Sequence, residues 1–424
     1  MTRPLADLIV TRASELVTLR GADGAPRTGA SLRELGIEKD GALAARGGRI
    51  VAAGGRDEVL RAVEPARGCV HVDAGARVVM PGFVDCHTHL VFAAYRLDEY
   101  EWRVQGTSYA EIAERGGGIA KSVADVRATP ETALLALADA RLRSAIRHGT
   151  TTIEIKSGYG LDLENELKQL RVARALSERF PVTVVPTFLG AHAVPPEYRE
   201  KRDDYVRLLT DVMIPAVVRE GLAEMNDVFC ERGAFSREET ERILRSGQRA
   251  GLKARIHAEE LSDSGGAVLA AELGAASADH LKKIGLEGIN RMAAAGVFGV
   301  LLPGTSFGLP SLDFAPARAM VSAGMRLAVA TDFNPGSSTS ESMPMMIAIA
   351  CSHMRLTPAE AITMTTYNPA FVLGREREVG SLEPGKRADF IVLDAEDHRE
   401  VANHFGINPV ARVFAAGVEW DTRA

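Results

Sequence analysis

At 424 residues, with 46% hydrophobic and 25% charged side chains, the chain has an ordinary globular composition and room for one large catalytic domain plus a smaller one. A net charge of −6 and a pI near 6.0 argue against the basic footprint of a nucleic-acid binder or of a protein held on an acidic membrane. The opening MTRPLADLIVTRASELVTL has no long apolar core with a cleavage site, and no apolar run reaches about 18 residues. The four cysteines, Cys69, Cys86, Cys230 and Cys351, lie far apart, so a cytoplasmic protein with reduced thiols is expected.

Residues 1 to 80 contain short apolar runs broken by turns (ADLIVTR, GALAARGGRIVAAG, HVDAGARVVMP), which predict antiparallel strands. PGFVDCHTHLVF, residues 81 to 92, then sets His87 and His89 two apart at the end of an apolar strand, on one face with Thr88 between them. Such a pair is either half-buried and satisfied by neighbouring carbonyls, or it is half of a metal site that needs further ligands from other strands. The Gly-rich RGGGIAKS (115 to 122) is too isolated for a phosphate loop and is expected to be a mobile loop over the mouth of the site.

From about residue 130, helix-like and strand-like segments alternate, with a glycine at each joint. Gly149 precedes TTTIEI, Gly251 precedes LKARIH, Gly274 precedes AASADH, Gly296 precedes VFGVLL and Gly324 precedes MRLAVATD, each suited to end a helix in the left-handed conformation. The last four stand 23, 22 and 28 residues apart, the pitch of strand-helix units in a parallel sheet. Ser236-x-x-Glu239 and Thr357-x-x-Glu360 predict capping boxes at helix starts. Buried-strand candidates are FVDCH (83 to 87), TTIEI (151 to 155), VTVVPTFL (182 to 189), DVFC (227 to 230), KARIH (253 to 257), ASAD (276 to 279), FGVLL (298 to 302) and RLAVA (326 to 330). Eight such strands predict a (β/α)₈ TIM barrel over residues 81 to 379, with its chemistry at the C-terminal strand ends. A doubly wound open sheet is the alternative, but no G-x-G-x-x-G follows the first strand. Residues 380 to 424 return to short strands (GSLEPGKRADFIVLD, ARVFAAGVEW), so residues 1 to 80 and 380 to 424 are expected to form one small β-sandwich domain.

A barrel would bring its strand ends to one mouth. The fifth strand ends in RIHAEE with His257 and Glu260, the sixth in SADH with His280, and the eighth in VATDFNPGSS with Asp332 and then Asn334 and Gly336. His87, His89, His257 and Asp332 would then converge as three nitrogens and one oxygen with room for water. The fourth strand ends in DVFCERG without a lysine that could be carbamylated to bridge two metals, and Lys156 after the second strand is out of place for that role, so one metal is expected. Cys86 and Cys230 at strand ends read as small buried hydrophobes. His71, His148, His353, His398 and His404 read as structural or exposed.

HTH on the first strand, H-x-x-E after the fifth, a histidine after the sixth and an aspartate after the eighth resemble the amidohydrolase superfamily in its mononuclear branch. Longer stretches, among them PGFVDCHTHLVFAAYR, KSGYGLDLENELKQLRVAR, FLGAHAVPPEY, IHAEE, SADHL, LLPGTSF and ATDFNPGSS, resemble the imidazolonepropionases of histidine degradation over nearly the whole chain. The match is loosest at the termini, including residues 21 to 40. The resemblance implies hydrolysis of the cyclic amide of 4-imidazolone-5-propanoate to N-formimidoyl-L-glutamate by a cytoplasmic homodimer with one divalent metal per chain, Zn²⁺ or Fe²⁺/Fe³⁺, and a small-molecule substrate as its partner.

It further implies metal ligation by His87, His89, His257 and Asp332 and catalytic roles for Glu260, His280 and Asp332. Substrate contacts would come from Arg96, Tyr109, Tyr159, His192, Glu260, Asn334, Gly336 and Ser337. Glu260, expected one helical turn past His257, would carry the proton from water to the departing nitrogen; taken alone, it reads equally well as a carboxylate at a helix N-terminus. Arg96 would grip the propionate with a two-pronged guanidinium. Deamination of a cyclic amidine or guanidine uses the same ligand pattern and is the alternative activity; Arg96 with Tyr159 argues against it, because a neutral nucleobase needs no carboxylate clamp. A scaffold that had lost catalysis would have no reason to keep all four ligands together with Glu260 and His280.

Overall fold

The computed structural model describes residues 3–21, 24–107, 111–112, 115–309 and 313–421, arranged around two separate eight-stranded sheets. The N-terminal strand β1 (Leu5–Val17) pairs antiparallel with β2 (Ile37–Arg46), which turns back into β3 (Arg49–Gly55). That turn is Gly47-Gly48, both at positive φ (56° and 77°), the geometry a two-residue hairpin needs to match strand twist. β1 also runs parallel to β4 (Glu64–Asp73) along its first half and meets β5 (Val79–Pro81) near its end. The register shift between Val10 and Ala13, with Arg12 at φ 60°, lets one strand serve both neighbours.

Gly82 alone separates β5 from the second sheet. It consists of β6 (Phe83–Asp85), β7 (Thr150–Lys156), β8 (Thr183–Ala191), β9 (Met225–Cys230), β10 (Lys253–Ala258), β11 (Ser277–His280), β12 (Phe298–Leu301) and β13 (Arg326–Val329). All pairings are parallel, and neighbours follow chain order. Just past the ends of β6 and β13, Thr88 bridges Phe333, His89 N donates to Phe333 O at 2.8 Å and Asp332 N to His87 O at 3.0 Å. These bonds close the cylinder at its C-terminal rim. The sheet is a (β/α)₈ barrel with helices between strands, as the alternation of segments predicts. All five joint glycines adopt positive φ, and both capping boxes form, at Ser236 and Thr357.

The chain then returns to the first sheet. β14 (Phe390–Leu393) pairs with β5, β15 (Val410–Ala415) with β14, and β16 (Val418–Trp420) with β15, all antiparallel. Alternating residues serve opposite faces. Leu8 and Val10 pack with Leu43, Phe390 and Phe414 on one side, and Ile9 packs with Ala44, Val59 and Val63 on the other. The Phe390 and Phe414 rings stack at 4.3 Å, and each fully buried ring contributes about 1.5–3 kcal/mol. This separate sheet of both termini fits the expected β-sandwich.

The Gly-rich stretch departs from the expected loop. Its second half starts the helix Ile119–Ala128, because Val123 and Val126 follow Ile119 at helical spacing and bury against the barrel. Gly118, before it, donates its N–H to Glu99 Oε1 at 2.7 Å. The loosely matching N-terminal segment packs on barrel helices: Thr363 Oγ1 donates to Leu32 O, and Arg27 N to Asn368 Oδ1. Among the described residues no helix is long and apolar enough to cross a membrane.

Candidate active site

The barrel rim carries unusual backbone. Glu259 (φ 49°), His280 (φ 78°), Leu281 (φ 59°) and Asp332 (φ 50°) are non-glycine residues at positive φ, and all lie where β10, β11 and β13 hand over to their loops. Such conformations cost of order 1–3 kcal/mol each and persist where surrounding contacts hold them.

His87, His89, His257 and Asp332 are all buried and converge. His87 Nε2 and His89 Nε2 each lie 3.4 Å from Asp332 Oδ1, and His257 Nε2 lies 3.4 Å from His89 Nε2. These separations are long for hydrogen bonds, yet they match the about 3.3 Å edge of a tetrahedron whose metal–nitrogen bonds measure about 2.0–2.1 Å. The His87 Nε2 atom is buried without a hydrogen-bond partner among the described residues. Outward, His87 Nδ1 meets Asp279 Oδ2 at 2.6 Å and His257 Nδ1 meets Asp227 Oδ2 at 3.0 Å. The carboxylate bonded to His87 Nδ1 holds the proton there and leaves the Nε2 lone pair facing inward, and on His257 the Asp227 carboxylate makes an ion-pair contact on the same outer side. Burial keeps His87, His89 and His280 well below the usual imidazole pKa, so their rings are neutral, each with one lone pair and one N–H. His257 is raised instead, because the Asp227 carboxylate outweighs its burial. The donor set suits one cation.

Glu260 faces the same space. Its Oε2 lies 3.6 Å from His280 Nε2 and its Oε1 3.7 Å from Lys282 Nζ, and burial raises its pKa against the pull of Lys282 and His257. It stands in a loop, not one helical turn along from His257. The following helix starts at Gly266, and the carboxylate that meets its N-terminal N–H groups is Glu259, through Ala267 N. Asp332 Oδ2 accepts from Thr305 Oγ1, and without a cation burial pushes the Asp332 carboxyl up to about 7 despite that bond. A nearby dication would reverse this shift.

A cavity of about 140 Å³ is lined by His89, Arg96, Tyr159, His192, Glu260 and Asn334, with His257, His280, Asp332 and Ser337 completing its wall. His87 lies behind the wall. Gly336 borders an adjoining cleft of about 620 Å³ that shares Arg96, Arg103 and Ser337 with the cavity and leads outward. Asn334 Oδ1 accepts from Gly336 N and Ser337 N, which folds the loop after β13 into a tight turn. Tyr159 and His192 sit beside the donors, with His192 stacked on His89 at 5.1 Å and holding Gly158 O through Nδ1. Arg96 pairs with Glu99 at 3.3 Å, while its Nη1 is buried without a hydrogen-bond partner among the described residues. Tyr109 lies outside the described residues.

Sequence reasoning passed over several residues here. Asp227 and Asp279 hold the outer faces of two histidines, Thr305 holds Asp332, Arg103 Nη2 donates to Gly336 O at 2.7 Å, and Lys282 faces Glu260. A signal for two of them is present in the sequence: a charged residue inside a buried strand, Asp227 in MNDVFC and Asp279 in SADH.

A family model for amidohydrolases matches residues 78–419. The chain belongs to the amidohydrolase family. Within it the chain is 50% identical over 416 residues to the imidazolonepropionase of Symbiobacterium thermophilum, covering 98% of this chain and 97% of that one. It is 47% identical over 411 residues to the imidazolonepropionase of Geobacillus kaustophilus, covering 97% of each. This amidohydrolase is therefore a member of the imidazolonepropionase family and a hydrolase. Solved structures share its fold: a triazine hydrolase variant (TM-score 0.73, 17% identity, 97% of this chain and 94% of that one) and a zinc-bound adenosine deaminase from Xanthomonas campestris (TM-score 0.69, 20% identity, 99% and 93%). Amidohydrolases depend on metal, and in this one the converging histidines and aspartate are the candidate ligands.

Proposed function

We propose that the protein hydrolyses the cyclic amide C–N bond of 4-imidazolone-5-propanoate to N-formimidoyl-L-glutamate in histidine degradation, using one divalent cation, Zn²⁺ or iron, held by His87, His89, His257 and Asp332. The observation that supports this reading most is one small-molecule cavity lined by three of the four donors, His89, His257 and Asp332, together with Glu260 and Arg96, with His87 directly behind them.

When bound, the cation supplies a water acidic enough to attack at neutral pH and an electrophilic pull on the ring carbonyl. Glu260 takes the proton of the attacking water, the carbonyl carbon gains the water oxygen and loses the ring nitrogen, and Glu260 passes the proton to that nitrogen. His280, opposite Glu260, stabilises the oxyanion as the carbon becomes tetrahedral. Arg96 binds the propionate through its unbonded guanidinium edge, with Tyr159, His192 and the Asn334–Gly336–Ser337 turn framing the ring. Deamination of a neutral cyclic amidine would bring no carboxylate to the guanidinium, which would then have Glu99 alone among the described residues. The free thiols among the described residues suit a cytoplasmic setting, and a homodimer is part of the same proposal.

The test is hydrolysis of freshly generated imidazolonepropionate, followed by loss of its ultraviolet absorbance, with metal measured on each sample. Turnover with about one metal per chain is expected. A metal-loaded protein that leaves the substrate untouched would overturn the assignment and turn attention to cyclic amidines.

A further inference from the structure

Beneath the candidate donors, inside the barrel, runs an unbroken string of side chains of alternating charge. It starts at His87, whose Nδ1 faces Asp279 Oδ2 at 2.6 Å. Arg255 Nη2 donates to the same oxygen at 2.6 Å, and Arg255 Nη1 lies 3.4 Å from Glu154 Oε1. Lys156 Nζ stands 2.7 Å from that glutamate oxygen and 2.8 Å from Asp227 Oδ2, which in turn meets His257 Nδ1 at 3.0 Å. Glu154 uses its other oxygen to accept from Thr88 N at 3.1 Å, the backbone between His87 and His89.

Asp279, Arg255, Glu154, Lys156 and Asp227 each have 0% of the side chain exposed. They come from β7, β9, β10 and β11, and they fill a barrel interior where branched apolar side chains are the rule. Neither Lys156 nor Arg255 lines the cavity. Lys156 reaches the site through its carboxylates, and Arg255 through its carboxylates and the Cys86 carbonyl beside His87.

We infer that Lys156 and Arg255 are positioning residues for the cation site: they brace Asp227 and Asp279 against the outer nitrogens of His257 and His87, so that both rings keep Nε2 turned inward. The inference rests on the cation site proposed above. Glu154 joins the two cations and ties in the backbone of the histidine pair, so three of the four donors hang from one buried frame. Lys156 is thereby given a role that a lysine bridging two metals would not have.

The test uses chelator-treated protein titrated with Co²⁺ alone, in competition with a chelator, while the visible absorption bands of bound Co²⁺ report the ligand set. Lys156→Met is expected to weaken Co²⁺ binding about 10–100-fold and to change the bands, with KM at saturating cation unmoved because the cavity wall is intact. The double variant Lys156→Met, Glu154→Gln keeps the net charge of the string but still frees Asp227, and it is expected to show the same weakening. It decides the matter if the single variant does not fold; Arg255→Lys, which keeps the charge but gives up the fork spanning Asp279 and the Cys86 carbonyl, decides it if neither does. Folded variants with wild-type Co²⁺ affinity and bands would overturn the positioning role. Wild-type protein that binds no Co²⁺ would instead overturn the cation site itself.

Discussion

Gly336 and Arg96 occupy one space: a Cβ added to Gly336 would stand 1.6 Å from Arg96 Nη2 and 2.3 Å from its Cζ. The same loop is held to the same segment by Arg96 N on Pro335 O at 2.9 Å and by Arg103 Nη2 on Gly336 O at 2.7 Å. Gly336→Ala must therefore push the guanidinium aside. Loss of a charged hydrogen bond is worth about 1.5–3 kcal/mol, so KM should rise by roughly 10–150-fold with a smaller change in kcat. Michaelis kinetics decide it, and an unchanged KM would mean that Arg96 does not hold the substrate carboxylate.

Glu260 lies in the cavity beside His280 and makes no contact that shapes the strands. Glu260→Gln should lower kcat by about 10²–10⁴ while leaving cation content and thermal stability nearly as they were. Stopped-flow turnover on metal-analysed samples reads both. A variant retaining most of its kcat would move the proton transfer to another group.

Removal of the cation by a chelator should abolish hydrolysis and lower the thermal transition, because four buried donors are then left facing one another. A ligand at 100 times its Kd stabilises a folded protein by about 2.7 kcal/mol, the scale of the expected loss. Titration back with Zn²⁺ or Fe²⁺ should restore activity at one equivalent. An end point at two equivalents would contradict a single-cation site.

Glu360 is fully buried at the start of the helix Pro358–Thr365, where it accepts from Thr357 N and pairs with Arg318 and with Arg33 of the N-terminal segment. Burial opposes its charge, but the Thr357 N–H and the two guanidinium groups outweigh it and bring its pKa below the ordinary 4.5. A carboxyl lowered on folding adds stability above its unfolded pKa and loses it as pH falls through the folded one. Glu360→Gln should therefore cost about 1–3 kcal/mol near neutral pH, and its deficit against wild type should shrink as pH drops below the ordinary 4.5. Denaturation curves at neutral and acidic pH test this, and an equal deficit at both would show that charge is not what Glu360 contributes.

The eight barrel strands can be read from local pattern, since each is a short buried run and five of them follow a glycine at a helix end, and His87, His89, His257 and Asp332 stand at or just past strand ends. In RGGGIAKS the three glycines predict a loop, but the helical spacing that Ile119, Val123 and Val126 carry on past it decides the second half. The sequence places Glu260 one helical turn past His257, whereas the next helix begins at Gly266, since a strand end gives no measure of how far its loop runs before the next helix.

By itself, the chain's sequence determined the barrel, the return of both termini to one sheet and the identity of the converging donors, because strand period and strand ends are local properties. Only the tertiary structure decided which charges meet. Lys156 touches Asp227, Arg255 touches Asp279 and Arg96 fills the space over Gly336, pairings set by the register of strands and loops far apart in the chain. At each of these positions the sequence shows a charge or a glycine, and the partner that gives it meaning arrives only when the barrel closes.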